Sequence, residues 1–251
     1  MLPRFLILFP ACVSLALAQD TPPAEPASPE QTQEAAKPSV KKLDDTRYQI
    51  GLVTFDEKTR EIRFPTQVNM TEGLLEYLIV NQKGKLHEAL LATEISPLHL
   101  NLAFTLLRYP ASRELYPLPN ETGGLSSKVP DVPAEIKAGA RINIEVEWTD
   151  NGKVRRNSIN EWIQHGVKSS SMPAGPWVYG GSDFEGGKFL PETSGDVAAI
   201  FMAMSSLINY PGEDHDNDDV WTPFPKRVPG LGTNITVIIS PYQHAKPLPK
   251  P

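Results

Sequence analysis

Apolar and polar positions alternate over much of the chain, and a period of two is the signature of half-buried strands. Tyr48, Ile50, Leu52 and Thr54 alternate with smaller or polar neighbours, and Glu61-Ile62-Arg63-Phe64 follows a turn at Asp56-Glu57-Lys58-Thr59. Leu74 to Val80 and Leu86 to Ile95 flank Asn81-Gln82-Lys83-Gly84-Lys85, a turn in which Gly84 can adopt positive φ, so the pattern predicts a hairpin. From Arg141 to Trp148, Ile142, Ile144, Val146 and Trp148 share one side and Asn143, Glu145 and Glu147 the other. Asp150-Asn151-Gly152 then turns that strand into Lys153 to Asn157. Further strands are expected at Trp177–Ser182 and Asn234–Ser240. The short apolar run from Val197 fits a strand to Ala203 or a helix to Ser206.

Two helices interrupt this pattern. Ser96 before Pro97 supplies an N-cap and a first-turn proline. Leu98, Leu100, Leu102, Phe104, Leu106 and Leu107 then make the helix too apolar for a surface, so it is expected to be buried against the sheet. Ser158-Ile159-Asn160-Glu161 has the spacing of a capping box and predicts a short helix through Ile163. The fold class expected is α+β: a mostly antiparallel β-sheet domain with one buried helix and long Pro-rich loops. Those loops are 109–140, with five prolines and Gly123-Gly124, and 212–232, with an acidic cluster. Long irregular connections in a compact domain are where sites are expected.

The ends of the chain read differently. Arg4, the apolar run Phe5–Leu17 and Ala16-Leu17-Ala18 have the form of a secretory signal, so residues 1–18 are expected to be a cleaved signal peptide. The run is shorter than a membrane span and contains Pro10, which predicts no transmembrane span in the mature chain. Cys12 offers an alternative, a lipid anchor. Residues 19–45, rich in Pro, Ala, Glu and Gln, predict a disordered tether, and 246–251 a disordered tail. The domain then spans 46–245, in a protein that is secreted or periplasmic.

Composition narrows the chemistry. The formal net charge of −6 excludes a basic nucleic-acid-binding surface as the dominant feature. Cys12 is the chain's one cysteine, and it lies within the signal. The mature chain is therefore expected to hold no disulfide, no cysteine zinc site and no iron–sulfur cluster.

Candidate site residues are few. His87-Glu88 lacks the second histidine of the metallopeptidase motif, because Leu91 stands four residues on. In a strand, adjacent side chains also point to opposite faces. His99, on the following helix, is the group that could join them. Asp214, Asp216 and Asp218 have the alternate spacing of a calcium loop, but Asp219 and Pro225 occupy the positions where an EF-hand needs glycine and glutamate. A weak, irregular Ca2+ site is what remains. Of the aromatic residues Trp148, Trp162, Trp177, Tyr179 and Trp221, the first two fall on apolar faces and are expected in the core. Trp177 and Trp221 lie beside loops and are candidates for an exposed binding platform. No nucleophile elbow, phosphate loop or dinucleotide fingerprint is present.

Several short segments carry a resemblance. They are Glu76-Tyr77-Leu78-Ile79-Val80, Gly84-Lys85, His87-Glu88-Ala89-Leu90-Leu91, Trp148 with Gly152-Lys153, Trp177 to Ser182 and Gly232 to Pro241. Together they resemble the YdjY-like domain of exported bacterial proteins, a family of unassigned activity in which some relatives carry a ferredoxin-like label. The resemblance implies an exported protein and supplies no catalytic residues. The function expected is an envelope-associated binding or interaction module for a peptide, a glycan or another envelope component. The alternative is a metal-dependent hydrolase using His87, Glu88, His99 and loop acids.

Overall fold

The computed structural model describes residues 39–243. The expected signal peptide with Cys12, residues 19–38 of the expected tether and the expected 246–251 tail lie outside them.

The first half of the domain contains β1 (Val40–Lys42), β2 (Arg47–Ile50), β3 (Val53–Asp56), β4 (Ile62–Val68), β5 (Tyr77–Asn81), β6 (Ala89–Thr93) and α1 (Pro97–Leu106). Next come α2 (Ala134–Gly139), β7 (Arg141–Asp150), β8 (Lys153–Ser158), β9 (Ile163–His165), β10 (Ser170–Ser171) and β11 (Trp177–Tyr179). The remainder is β12 (Phe184–Glu185), β13 (Lys188–Phe189), α3 (Leu190–Ser194), β14 (Asp196–Ala199), β15 (Ile208–Asn209), β16 (Trp221–Pro223) and β17 (Asn234–Pro241).

The main sheet runs β4-β17-β7-β11-β15-β14-β5-β6, and β6 pairs back onto β4. The pairing is mostly antiparallel, as expected, with β14–β15 and β5–β6 parallel, but the sheet closes into an eight-stranded barrel, which the strand pattern did not predict. β1, β2 and β3 extend from β4, and β8 extends from β7. A smaller sheet, β10-β9-β16, and the β12–β13 hairpin complete the strands described.

The chain closes because β5 and β6 are parallel, with Tyr77 opposite Ala89 and Asn81 opposite Thr93. The expected hairpin is thus a return connection through Gln82–Glu88, in which Leu86–Glu88 form a turn of 3-10 helix and strand begins only at Ala89. β5 buries Tyr77, Leu78, Ile79 and Val80 consecutively, as a strand covered on both faces does. Leu78 and Ile79 join the main core, whereas Tyr77 and Val80 pack with Ala89 and Ala199 in a second, smaller one. Gly84 is not among the residues with positive φ. It is needed for close approach, since a Cβ there would stand 3.1 Å from Asn81 O and 3.2 Å from Gly195 O.

Elsewhere local chemistry sets the structure directly. In β7, Ile142, Ile144 and Val146 point inward, and Asn151 (φ 48°) and Gly152 (φ 74°) make the two-residue turn into β8. Ser96 Oγ accepts from the His99 N–H at the start of α1. That helix buries Leu100, Ala103 and Phe104 but leaves Leu106 exposed, so only one face is in the core. Phe104 stacks on Tyr179 of β11 at 4.1 Å between ring centroids.

Other expectations are corrected. The segment after Ser158 is a 3-10 turn, Ile159–Trp162, without a side-chain cap, and Glu161 instead accepts from Asn157 Nδ2 at 2.6 Å. The run from Val197 is strand (β14), with register shifts against β5. Val40–Lys42, assigned to the tether, pair with β2 as β1. The 109–140 loop is anchored by Tyr116 Oη donating to Ser206 O at 3.0 Å and by Glu114, whose carboxylate lies 2.6 Å from Arg141.

Candidate functional site

The structure disperses most of the residues singled out from sequence. His87 is exposed, with Nε2 3.2 Å from Glu88 Oε1. His99 lies in the first turn of α1, its ring filling the space where a side chain on Gly51 would stand. Among the described residues no three His, Cys, Asp or Glu side chains are grouped to hold a metal ion. That covers His87, Glu88 and His99, and equally Asp214, Asp216 and Asp218. Asp214, at φ 59°, turns its carboxylate to the His165 ring (3.1 Å) and to Lys168 Nζ (3.4 Å). Its carbonyl accepts from Trp221 Nε1 at 3.1 Å. This aspartate ties the acidic loop to β9 and β16.

Trp162 lies in the core as expected, but the other three tryptophans do not take the positions expected of them. Trp177 is fully buried and donates from Nε1 to Asn160 Oδ1 at 3.0 Å. Trp221 is buried edge-on to His165 and Tyr210. Burial pushes the Tyr210 phenol up to about 12. Neither indole is an exposed platform. Trp148, expected in the core, is half-buried: its ring meets Trp162 at 5.1 Å, and the residue lines a cavity at the barrel rim.

One charged group has an unusual setting. Just ahead of the paired strands, Glu76 lies beside Glu88, and the Glu76 N–H donates to Glu88 O at 3.1 Å. Burial, and then the neighbouring Glu88 carboxylate, raise the Glu76 pKa, while Lys85, 3.8 Å away, opposes them. The Lys85 ammonium donates to Tyr77 Oη at 3.1 Å, which holds the lysine charged. Like charges this close repel each other, and Lys85 offsets part of that repulsion.

Among the described residues, separate surface depressions lie around Arg60 and Leu107 and around Arg47 and Arg63, and three others adjoin one another. The first, about 160 Å³, opens where β3 and β6 diverge along β4; Leu52, Gln67, Gln82, Thr93, Glu94 and Asn234 contribute to it. Pro65, Thr66 and Asn234 are shared with the second, about 300 Å³, which crosses β17 to Glu147, Thr149 and Val154. Trp148 and Thr149 are shared with the third, about 360 Å³, between the end of β7 and the segment 226–230. The first two mix apolar residues with amides and hydroxyls; Gln67 Nε2 donates to Asn234 Oδ1 at 2.9 Å and Gln82 Nε2 to Glu94 Oε1 at 3.1 Å. Lys226, Arg227 and Asp150 bring charge to the third.

The family model of the YdjY domain matches residues 53–240. The chain belongs to the YdjY domain family. No curated protein and no solved structure matches it. The match starts at β3 and ends within β17, so the YdjY domain contains every strand of the closed barrel, while β1 and β2 precede it. No described helix is long and apolar enough to cross a membrane.

Sequence reasoning missed Trp148, Asn234 and the 226–230 segment as neighbours. Only the placing of a site in loop 212–232 pointed toward them. Asn234 lies beside Gln67 of β4 through long-range pairing, which local spacing does not encode.

Proposed function

We propose that this YdjY domain is a non-enzymatic binding module of an exported, envelope-associated bacterial protein, and that its ligand is an extended glycan. The observation that carries this reading is the run of three adjoining depressions from Gln82 to Arg227. A binding surface for a polyhydroxylated chain needs groups that both donate and accept hydrogen bonds, and Gln67, Gln82, Asn234 and Thr149 supply them. A half-exposed indole adds an apolar face for a sugar ring, and Trp148 stands at the junction of the second and third depressions. The signal-like N-terminus supports export.

Electrophoresis of the purified protein through gels containing dextran, xylan or polygalacturonate tests the reading. Retardation by at least one polymer is expected, and Gln67→Ala/Asn234→Ala should weaken it several-fold while leaving the thermal midpoint in place, since both residues are exposed. Unchanged mobility in every gel would remove the proposal.

A further inference from the structure

The third depression has a feature the other two lack. Arg227 is fixed without a carboxylate. Its guanidinium carbon lies 3.8 Å over the centre of the Phe224 ring, and Nη1 donates to Ser171 Oγ at 2.7 Å and to Glu161 O at 3.3 Å. All these partners are neutral groups, so they orient the cation and leave its charge uncompensated. Arg60 is held similarly, over the Tyr109 ring and by the Leu107 and Arg108 carbonyls, but away from these three depressions. Arg47, Arg63, Arg113, Arg141, Arg155 and Arg156, by contrast, each lie in an ion pair with Asp or Glu. Lys226 precedes Arg227, is exposed, and has left-handed backbone at φ 66°. The one carboxylate lining the depression, Asp150, lies 3.6 Å from Arg155 Nε. A net-acidic protein thus presents a local cationic corner with Trp148 and Thr149 beside it.

Arginine's planar fork suits a carboxylate or sulfate, and an immobilised guanidinium loses little freedom when it binds one. From the neutral tethering of Arg227 beside Trp148 we infer that the third depression binds the anionic group of an acidic glycan, with the sugar ring against the indole. This inference rests on the glycan reading above and adds the ligand's charge and the end of the furrow that reads it.

The test uses the purified full chain and two forms of one polymer. Polygalacturonate carries a carboxylate on each sugar, and its fully methyl-esterified form has the same backbone without charge. Calorimetry should give at least about tenfold tighter binding of the charged form. Arg227→Gln should bring the two forms within about twofold of each other, and Arg227→Lys should keep part of the preference. Because Arg227 also ties its segment to Ser171 and Glu161, each variant's thermal midpoint is compared with wild type, and Lys226→Ala, whose side chain has no such tie, should lower the preference independently. Dextran sulfate as a third probe separates the sources of charge. Binding weaker than polygalacturonate identifies carboxylate recognition, and equal binding identifies recognition of charge; both keep the anionic subsite. Equal affinity of wild type for the charged and esterified forms would overturn the inference while the glycan reading stands. Binding of neither form nor of dextran sulfate would overturn the inference, and failure in the neutral gels as well would remove the glycan reading with it.

Discussion

Gly84 and Gly195 meet backbone to backbone: a Cβ on Gly195 would stand 2.7 Å from Gly84 Cα and 2.8 Å from Gly84 N. The contact lies between the β5–β6 connection and the α3–β14 junction, where Asn81 N–H donates to Gly195 O at 2.7 Å. Gly195 also has φ 83°, in the left-handed region that side chains resist.

Gly195→Ala should therefore destabilise strongly, because the methyl group meets backbone that cannot rotate away and the residue is strained as well. A loss of about 2–4 kcal/mol is expected from the combined strain and overpacking. In a domain of this size that lowers the thermal midpoint by roughly 5–15 °C. Gly152→Ala is the control: it also has positive φ, but no atom lies within 4 Å of its Cβ position, so it should lose only about 1 kcal/mol. Equal losses would show that close approach contributes nothing at Gly195.

A buried hydrogen-bond relay gives a second prediction. Asn160 is 2% exposed; its Nδ2 donates to Pro173 O at 2.7 Å, and its Oδ1 accepts from Trp177 Nε1 at 3.0 Å. Asn160→Ala leaves a buried indole N–H and a carbonyl without partners, at a cost of about 2–4 kcal/mol. Trp177→Phe removes the donor itself and should cost less than Asn160→Ala. Denaturant melts of both variants check the order, and a reversed order would mean that ring packing, not the relay, dominates.

These two sites mark how far local sequence could be read. The β7–β8 hairpin was legible because alternation and an Asn-Gly turn are both encoded within a few residues. The Ser96 cap was legible for the same reason. The closing of the barrel was not, because β5 and β6 pair in parallel across a seven-residue return connection whose glycine looks like any hairpin glycine. One signal was present: Leu78-Ile79-Val80 is a continuous apolar run, which fits a strand covered on both faces better than a hairpin arm. Trp148 and Trp177 exchanged roles because strand alternation reports the face of the sheet and not the distance from the barrel rim. Trp148 continues the inward row of Ile142, Ile144 and Val146 but reaches the rim, while Trp177 sits in the core with the Asn160 carbonyl oxygen as its partner.

The acidic loop yields a third prediction. Asp214 contacts His165, which is 5% exposed, and Lys168, and its carbonyl holds Trp221. Asp214→Asn should lower stability by about 1–2 kcal/mol through the charged contact to the buried ring. The loss should be the same with and without millimolar calcium, and wild type should show no calcium-dependent rise in midpoint. A rise that the variant abolishes would restore the calcium site suggested by Asp214, Asp216 and Asp218.

The last prediction concerns pH and Glu76. Burial first, and Glu88 second, raise its folded-state pKa above the ordinary value of 4.5. In the window between the two values the folded state binds more proton than the unfolded chain, so stability falls as pH rises through it. The contribution is fully present below 4.5 and lost once pH exceeds the raised folded value. Glu76→Gln keeps the shape of the side chain and removes both its titration and its repulsion with Glu88. The variant should therefore show a smaller fall in thermal midpoint between pH 4.5 and pH 7 than wild type. At pH 7 it should be at least as stable. Lys85→Met should act in the opposite direction, because it removes the ammonium that favours the ionised Glu76 and so steepens the loss with pH. Thermal melts of the three proteins across that range decide it: parallel curves would mean that neither burial nor Glu88 raises Glu76 in the folded state, although the two residues meet through a backbone hydrogen bond just ahead of β5 and β6.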